Sequence, residues 1–135
     1  MSAYHSYELD VTDQDCLVEA LEEQGFKPVV NEQGQHLEGY QGDKRKQVAQ
    51  VVIPRKQVGG VSNDIGFAKD ENGKYQAVIS EFDRSKYNEK WLNKIKQAYA
   101  AKKAVKLARA AGMTLAGQRT IKTPTGQKLQ FVFNR

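Results

Sequence analysis

The sequence predicts an α+β fold: a mostly antiparallel sheet packed by a short acidic N-terminal helix and a long basic helix in the C-terminal half, ending in a β-hairpin. Three observations carry this expectation. Short segments rich in β-branched and aromatic residues recur, each closed by Gly, Pro, Asn or Asp, the pattern of short strands and their turns. Two stretches, Thr12–Gln24 and Ser85–Ala111, instead carry apolar residues at helical spacing. Between two strand-like segments sits Asn72-Gly73, the strongest short-range hairpin signal in the chain. The 135 residues suit a single domain with its own core, and no repeat or linker divides them.

Tyr4–Val11 reads as the first strand, with Tyr7, Leu9 and Val11 inward and Tyr4, Ser6, Glu8 and Asp10 on the other side. Thr12 is the expected N-cap of the first helix, with Asp15 three residues on. Cys16, Leu17, Ala20 and Leu21 share its apolar face, and Gly25 stops it. Phe26–Val30 and His36–Tyr40 read as two short strands separated by a turn at Asn31–Gly34. After a turn at Gln41–Asp43, Gln47–Ile53 is the strongest strand and is placed centrally, because its end is apolar on both faces. Pro54 ends it, and Arg55–Asn63, with Gly59-Gly60, is expected to be a mobile connection.

Asp64–Ala68 and Tyr75–Glu81 form the expected hairpin. With Asn72-Gly73 as the whole loop, Glu71 faces Lys74 and Asp64 faces Glu81. Opposed carboxylates repel unless a cation intervenes, so Asp64, Glu81 and nearby Asp83 are a candidate divalent-cation or Lys/Arg site. A longer loop shifts the register and removes it. On the long helix, Tyr87, Trp91, Leu92, Ile95, Ala98 and Tyr99 form one stripe. Beyond Tyr99 that stripe turns basic and the small residues Ala101, Ala104, Ala108 and Ala111 take another side, so the helix bends or is buried on different sides along its length. The last hairpin pairs Met113–Ile121 with Gln127–Phe133 around Thr123–Gly126, with Leu129, Phe131 and Phe133 on a core face.

Net charge is +5, but it is unevenly laid out. Residues 1–26 hold seven acids and no Lys or Arg, whereas Arg84–Ala111 holds nine Lys or Arg against Glu89 alone. Two readings follow: the acidic helix lies beside the basic one within the fold, or the basic surface meets an acidic partner such as nucleic acid. For the second, Lys44, Arg45 and Lys46 begin the strong strand, Arg55 and Lys56 follow it, and Tyr99, Lys102, Lys106 and Arg109 share a helix face with Lys103 beside it. Cations beside an aromatic ring grip a phosphate backbone and stack a base.

Catalytic signatures are missing. His5 and His36 are too few and too separated for a triad or metal pattern. No Walker, His-Glu-x-x-His or Gly-x-Ser-x-Gly sequence occurs. One cysteine, Cys16, allows no intramolecular disulfide and suits a reducing compartment. No apolar run spans a bilayer, and the first residues lack the order of a signal peptide. The expected setting is the cytoplasm or a plastid stroma equivalent, with no cofactor, no membrane and an open oligomeric state.

Gly39-Tyr40-Gln41-Gly42, then Lys44-Arg45-Lys46 and the Val48–Ile53 strand, then Asp64-Ile65-Gly66-Phe67, Tyr75 and the Ile95–Ala100 segment together resemble the small conserved hypothetical-reading-frame family of plastid and cyanobacterial genomes. The likeness runs from about Ser2 to Phe133 and departs from the family at Ala3, where members tend to have His. The resemblance implies a family of unknown function, encoded near an AAA+ class ATPase and a small ferredoxin-like protein, and hence an accessory subunit. The leading expectation is therefore a non-enzymatic accessory or adaptor protein acting through protein–protein contacts. The first alternative is a nucleic-acid module for RNA or single-stranded DNA; the second is a small enzyme or metal binder at Asp64, Glu81 and Asp83.

Overall fold

The computed structural model describes residues 2–112 in full and, beyond them, the backbone of residues 114–123 and 126–134. The chain runs β1 (Tyr4–Val11), α1 (Gln14–Glu23), β2 (Val29–Glu38), β3 (Lys44–Ile53), α2 (Arg55–Val58), β4 (Ile65–Lys69), β5 (Tyr75–Ser80), α3 (Glu81–Arg84), α4 (Glu89–Ala110), β6 (Thr114–Thr123) and β7 (Gly126–Asn134). The expected α+β class holds. Five strands form one antiparallel sheet in the order β1-β5-β4-β3-β2, and β6 and β7 pair as a separate two-stranded sheet.

Alternation in the strands sorts side chains onto two faces. One face carries Leu9, Val11, Val51, Ile53, Ile65, Phe67, Ala77 and Ile79, and both long helices pack there. From α1 come Cys16, Leu17, Ala20 and Leu21; from α4 come Leu92, Ile95, Ala98 and Tyr99. Trp91 plugs the margin, edge-on to Tyr87 at 4.9 Å and to Phe26 at 5.9 Å. The opposite face holds a smaller cluster of Tyr4, Leu37, Ala49, Val52 and Val78. Tyr4, expected among the outward residues, is therefore buried on this second face.

That second face is covered by the chain's own β2–β3 ribbon. Asn31–Gly34 is not a turn between two strands but an excursion inside a single β2: Val30 pairs with Val51 and Gln35 with Ala49, so four residues of β2 stand against one of β3. A second register shift follows between His36 and Glu38. Such bulges bend and twist a ribbon, and here they bring Leu37 over Gly66 and Arg45 onto Tyr4. Gly66 is a spacing requirement: a methyl there would lie 2.8 Å from Ala49 Cβ and 2.9 Å from Leu37 Cδ2.

Other expectations shift by small amounts. The N-cap of α1 is Asp13, not Thr12, its side chain accepting from the Cys16 amide at 3.1 Å. The long helix does not begin at Ser85: one turn of α3 intervenes, and Asn88 caps α4 through the Trp91 amide. The strong strand, β3, is internal but second from the edge, and β4 is central. Arg55–Asn63 is not a loose connection: it forms α2, buries Val58 and leaves Asn63 1% exposed. The core face expected of Leu129, Phe131 and Phe133 falls outside the residues whose side chains are described, as do Met113 and the Pro124-Thr125 turn. Among the described residues no helix is long and apolar enough to cross a membrane.

Gly66→Ala should cost about 1–3 kcal/mol in chemical denaturation, the usual range for overpacking. Adding Leu37→Ala in that background should cost less than Leu37→Ala alone, because the space it vacates admits the new methyl. Additive effects would show that Leu37 does not sit on Gly66.

Candidate functional site

The cations of α4 meet the acids of α1 on the face of the sheet where both helices pack. Asp13, at the N-cap of α1, takes Lys106 Nζ at 2.6 Å and Lys103 Nζ at 3.2 Å on the same Oδ2. Lys102 Nζ lies 3.6 Å from Glu23 at the other end of α1. The lysine hydrogen bonds hold the Asp13 carboxyl well below the usual carboxylate range, with Lys106 the larger contributor, and Asp13 in turn raises Lys106. Tyr99 is 9% exposed, and its hydroxyl accepts the Thr12 and Asp13 amides at 3.3 and 3.1 Å. It buttresses the β1–α1 junction rather than offering a stacking face. Arg109 is exposed beside a groove of about 800 Å³ between the two helices. Burial pushes the Cys16 thiol up, which suits a core residue rather than a nucleophile.

The strand cations divide. Lys44, Lys46 and Lys56 are exposed. Arg45 lies over the Tyr4 ring at 4.9 Å and donates to the Ser2 carbonyl at 2.6 Å. Arg55 donates to the Tyr40 carbonyl at 3.3 Å and lies 3.9 Å from Glu38. The ribbon's bend thus brings Arg45 and Arg55 to one end of the sheet, away from the paired lysines of α4.

At that end, Asn63 and Asp64 tie several elements together. Asp64 Oδ2 accepts the Glu38 amide at 2.8 Å and Oδ1 the Arg55 amide at 2.7 Å, while its carbonyl accepts the Tyr4 hydroxyl at 2.6 Å. Asn63 accepts the Tyr40 amide at 2.9 Å and donates Nδ2 to Ser80 Oγ at 3.0 Å and Asp83 Oδ2 at 3.2 Å. Ser80 caps α3 through the Asp83 amide and donates to Asp83 Oδ2 at 2.7 Å. Burial pushes the Asp64 carboxyl upward against the two amides that pull it down.

The expected opposition of Asp64 and Glu81 does not occur. The loop is longer by one residue: Asp70 N–H donates to the Lys74 carbonyl at 2.8 Å, and Gly73, at φ 79°, donates to the Asp70 carbonyl. Lys69 therefore pairs with Tyr75 and Gly66 with Val78, a shift that removes the clash of like charges. Glu81 turns outward to His5 Nε2 at 2.7 Å, whereas Asp64 and Asp83 point into separate hydrogen-bond sets on either side of Asn63. Among the described residues no group of three His, Cys, Asp or Glu is placed to hold a metal.

Above Asn63 opens a pocket of about 350 Å³, lined by Ser2, Tyr40, Val61, Asn63 and Phe82. Tyr40 is 42%, Val61 63% and Phe82 55% exposed. Sequence reasoning placed none of these in a site. Two signals were present: Ser80-x-x-Asp83 is a capping pattern, and Asn63-Asp64 ahead of a strand marks polar groups that need partners. The family-like segments Gly39–Gly42 and Asp64–Phe67 both adjoin the pocket's floor.

Asp13→Asn retains a good N-cap but loses the charge met by two lysines. Because the Asp13 carboxyl titrates lower folded than unfolded, its stabilisation is complete above the ordinary carboxylate value of about 4 and is lost as pH falls through the folded value. The variant should be about 1 kcal/mol less stable at neutral pH, and the gap should close as pH is lowered from about 4. A pH-independent gap in urea melts would contradict a charge-based role.

A family model described as "Protein of unknown function (DUF1257)" matches residues 20–127. That agrees with the expectation of a family of unknown function. No curated protein and no solved structure matches the chain.

Proposed function

We propose that this chain, which belongs to the DUF1257 family, is a non-enzymatic accessory protein that works by docking another protein on the pocket framed by Tyr40, Val61 and Phe82. The observation that carries the reading is this group of exposed apolar side chains on a rigid floor. Exposed apolar side chains clustered around a concavity are characteristic of interaction sites. Here they rest on Asn63 and Asp64, which are 1% and 5% exposed and hydrogen-bonded on several sides. A preorganised patch loses little conformational entropy when a partner binds. The resemblance to a family encoded near an AAA+ class ATPase makes such an ATPase the first partner to look for.

The nucleic-acid alternative has less to draw on at the helix. Lys102, Lys103 and Lys106 already face acids of α1, and Tyr99 is engaged by backbone amides. A phosphate backbone would have to displace those carboxylates to use the same face.

Affinity capture from the native host compares the wild type with Val61→Asp. Val61 is 63% exposed, so the substitution should move stability by no more than about 0.5 kcal/mol. The wild type should retain a stoichiometric partner, an AAA+ class ATPase, and the variant should lose it. Recovery of the same partner by both proteins, or of no stoichiometric partner by either, overturns the proposal.

A further inference from the structure

Behind the floor of the Tyr40–Phe82 pocket lies a carboxylate that no Lys, Arg or His among the described residues pairs with. Asp83 is 3% exposed. Its Oδ2 accepts from the Asn63 amide at 3.0 Å, from Asn63 Nδ2 at 3.2 Å and from Ser80 Oγ at 2.7 Å. Its Oδ1 accepts no hydrogen bond, and neither oxygen pairs with Lys, Arg or His, among the described residues. Asn63, which is also a wall of the pocket, separates this anion from the opening by one side chain. Asp64, the next residue, is a second buried carboxylate, 5% exposed.

Among the described residues, the two arginines at this end of the sheet are turned to other groups. Arg45 sits on the Tyr4 ring and the Ser2 carbonyl, with Asp43 at 4.0 Å. Arg55 is held by the Tyr40 carbonyl and Glu38. What lines the opening is a pair of exposed aromatic residues, Tyr40 and Phe82, with the buried Asp83 carboxylate behind Asn63. Ring faces favour a cation, and a buried anion acts in the same direction with little screening. The exposed Val61 adds an apolar wall suited to an alkyl stem.

We propose that the pocket receives a single cationic side chain, a lysine ammonium or arginine guanidinium, presented by a basic segment of the partner protein. This rests on the accessory-protein reading and specifies the chemistry of what docks. The stem lies against Val61 and the aromatic residues, and the charged head sits toward Asn63 with Asp83 beyond it.

The test is an NMR titration of the full chain with three probes of matched size: n-butylammonium, n-butanol and pentanoate. Amide shifts at Tyr40, Val61, Asn63 and Phe82 should saturate with the ammonium at concentrations about tenfold lower than with the alcohol, and pentanoate should leave them unmoved. Raising the salt should weaken the ammonium response only modestly, because the anion is buried. Phe82→Leu keeps an apolar wall at an exposed position and removes one ring. It should weaken ammonium binding about threefold or more while leaving the alcohol response in place.

Equal responses to ammonium and alcohol overturn the inference, as does an ammonium response confined to the acids of α1. The two proposals fail separately. If ammonium binds as expected but Val61→Asp still captures the partner, the cation pocket stands and the docking role falls. If capture depends on Val61 but ammonium shows no preference over alcohol, docking stands and the cation pocket falls.

Discussion

Asn63 and Asp64 hold one end of the sheet by hydrogen bonds that no strand ladder could make. Where strands stop, their backbone groups lose their regular partners, and a buried orphan costs about 1–3 kcal/mol. These two side chains supply partners to Glu38, Tyr40 and Arg55 from one short segment, while the Asp64 carbonyl takes the Tyr4 hydroxyl. The end of β2, the start of α2, the start of β1 and the Ser80–Asp83 cap thus all meet the residues just ahead of β4. Burying the Asp64 and Asp83 carboxylates is unfavourable unless they are hydrogen-bonded. Each is, and the result is a fixed platform under Tyr40, Val61 and Phe82.

The opposite pole of the molecule is organised by charge. The seven acids of the first 26 residues and the basic half of α4 meet chiefly at Asp13, whose one oxygen serves two lysines while the other caps α1. Exposed ion pairs contribute modestly, so packing of Leu17, Leu21, Leu92 and Ile95 carries most of the helix attachment. The pairs add registry: Lys102 to Glu23 and Lys106 to Asp13 fix how α4 crosses α1. Among the described residues, three of the seven cations of α4 are thereby paired within the fold, two of them on one carboxylate.

Much of this was legible beforehand, for physical reasons. Helical spacing identified the buried faces of α1 and α4, because 3.6-residue periodicity survives any tertiary context. The acidic–basic juxtaposition was one of the two readings that the charge layout allowed. What escaped depended on counting residues in loops and bulges. Asn31–Gly34 carries turn residues, yet extra residues within a strand look the same in sequence as a turn between two. Asn72-Gly73 pointed to a two-residue loop, but Asp70 closes a three-residue one through its backbone and its Oδ1, which takes the Asn72 and Lys74 amides. That single residue moved Asp64 away from Glu81. The pocket was least legible, since Tyr40, Val61 and Phe82 lie in three separate segments that the hydrogen bonds of Asn63 and Asp64 help bring together.

The central claim is that these bonds make the platform one cooperative unit. Native-state hydrogen exchange on Asn63→Ala tests it. The Tyr40 amide loses its acceptor directly, but Glu38 and Arg55 bond to Asp64, which the substitution leaves in place. If the platform is cooperative, protection at Glu38 and Arg55 should fall together with that at Tyr40, while Leu17 and Ile95 in the helices keep most of theirs. Loss confined to Tyr40, with Glu38 and Arg55 unchanged, would contradict the account.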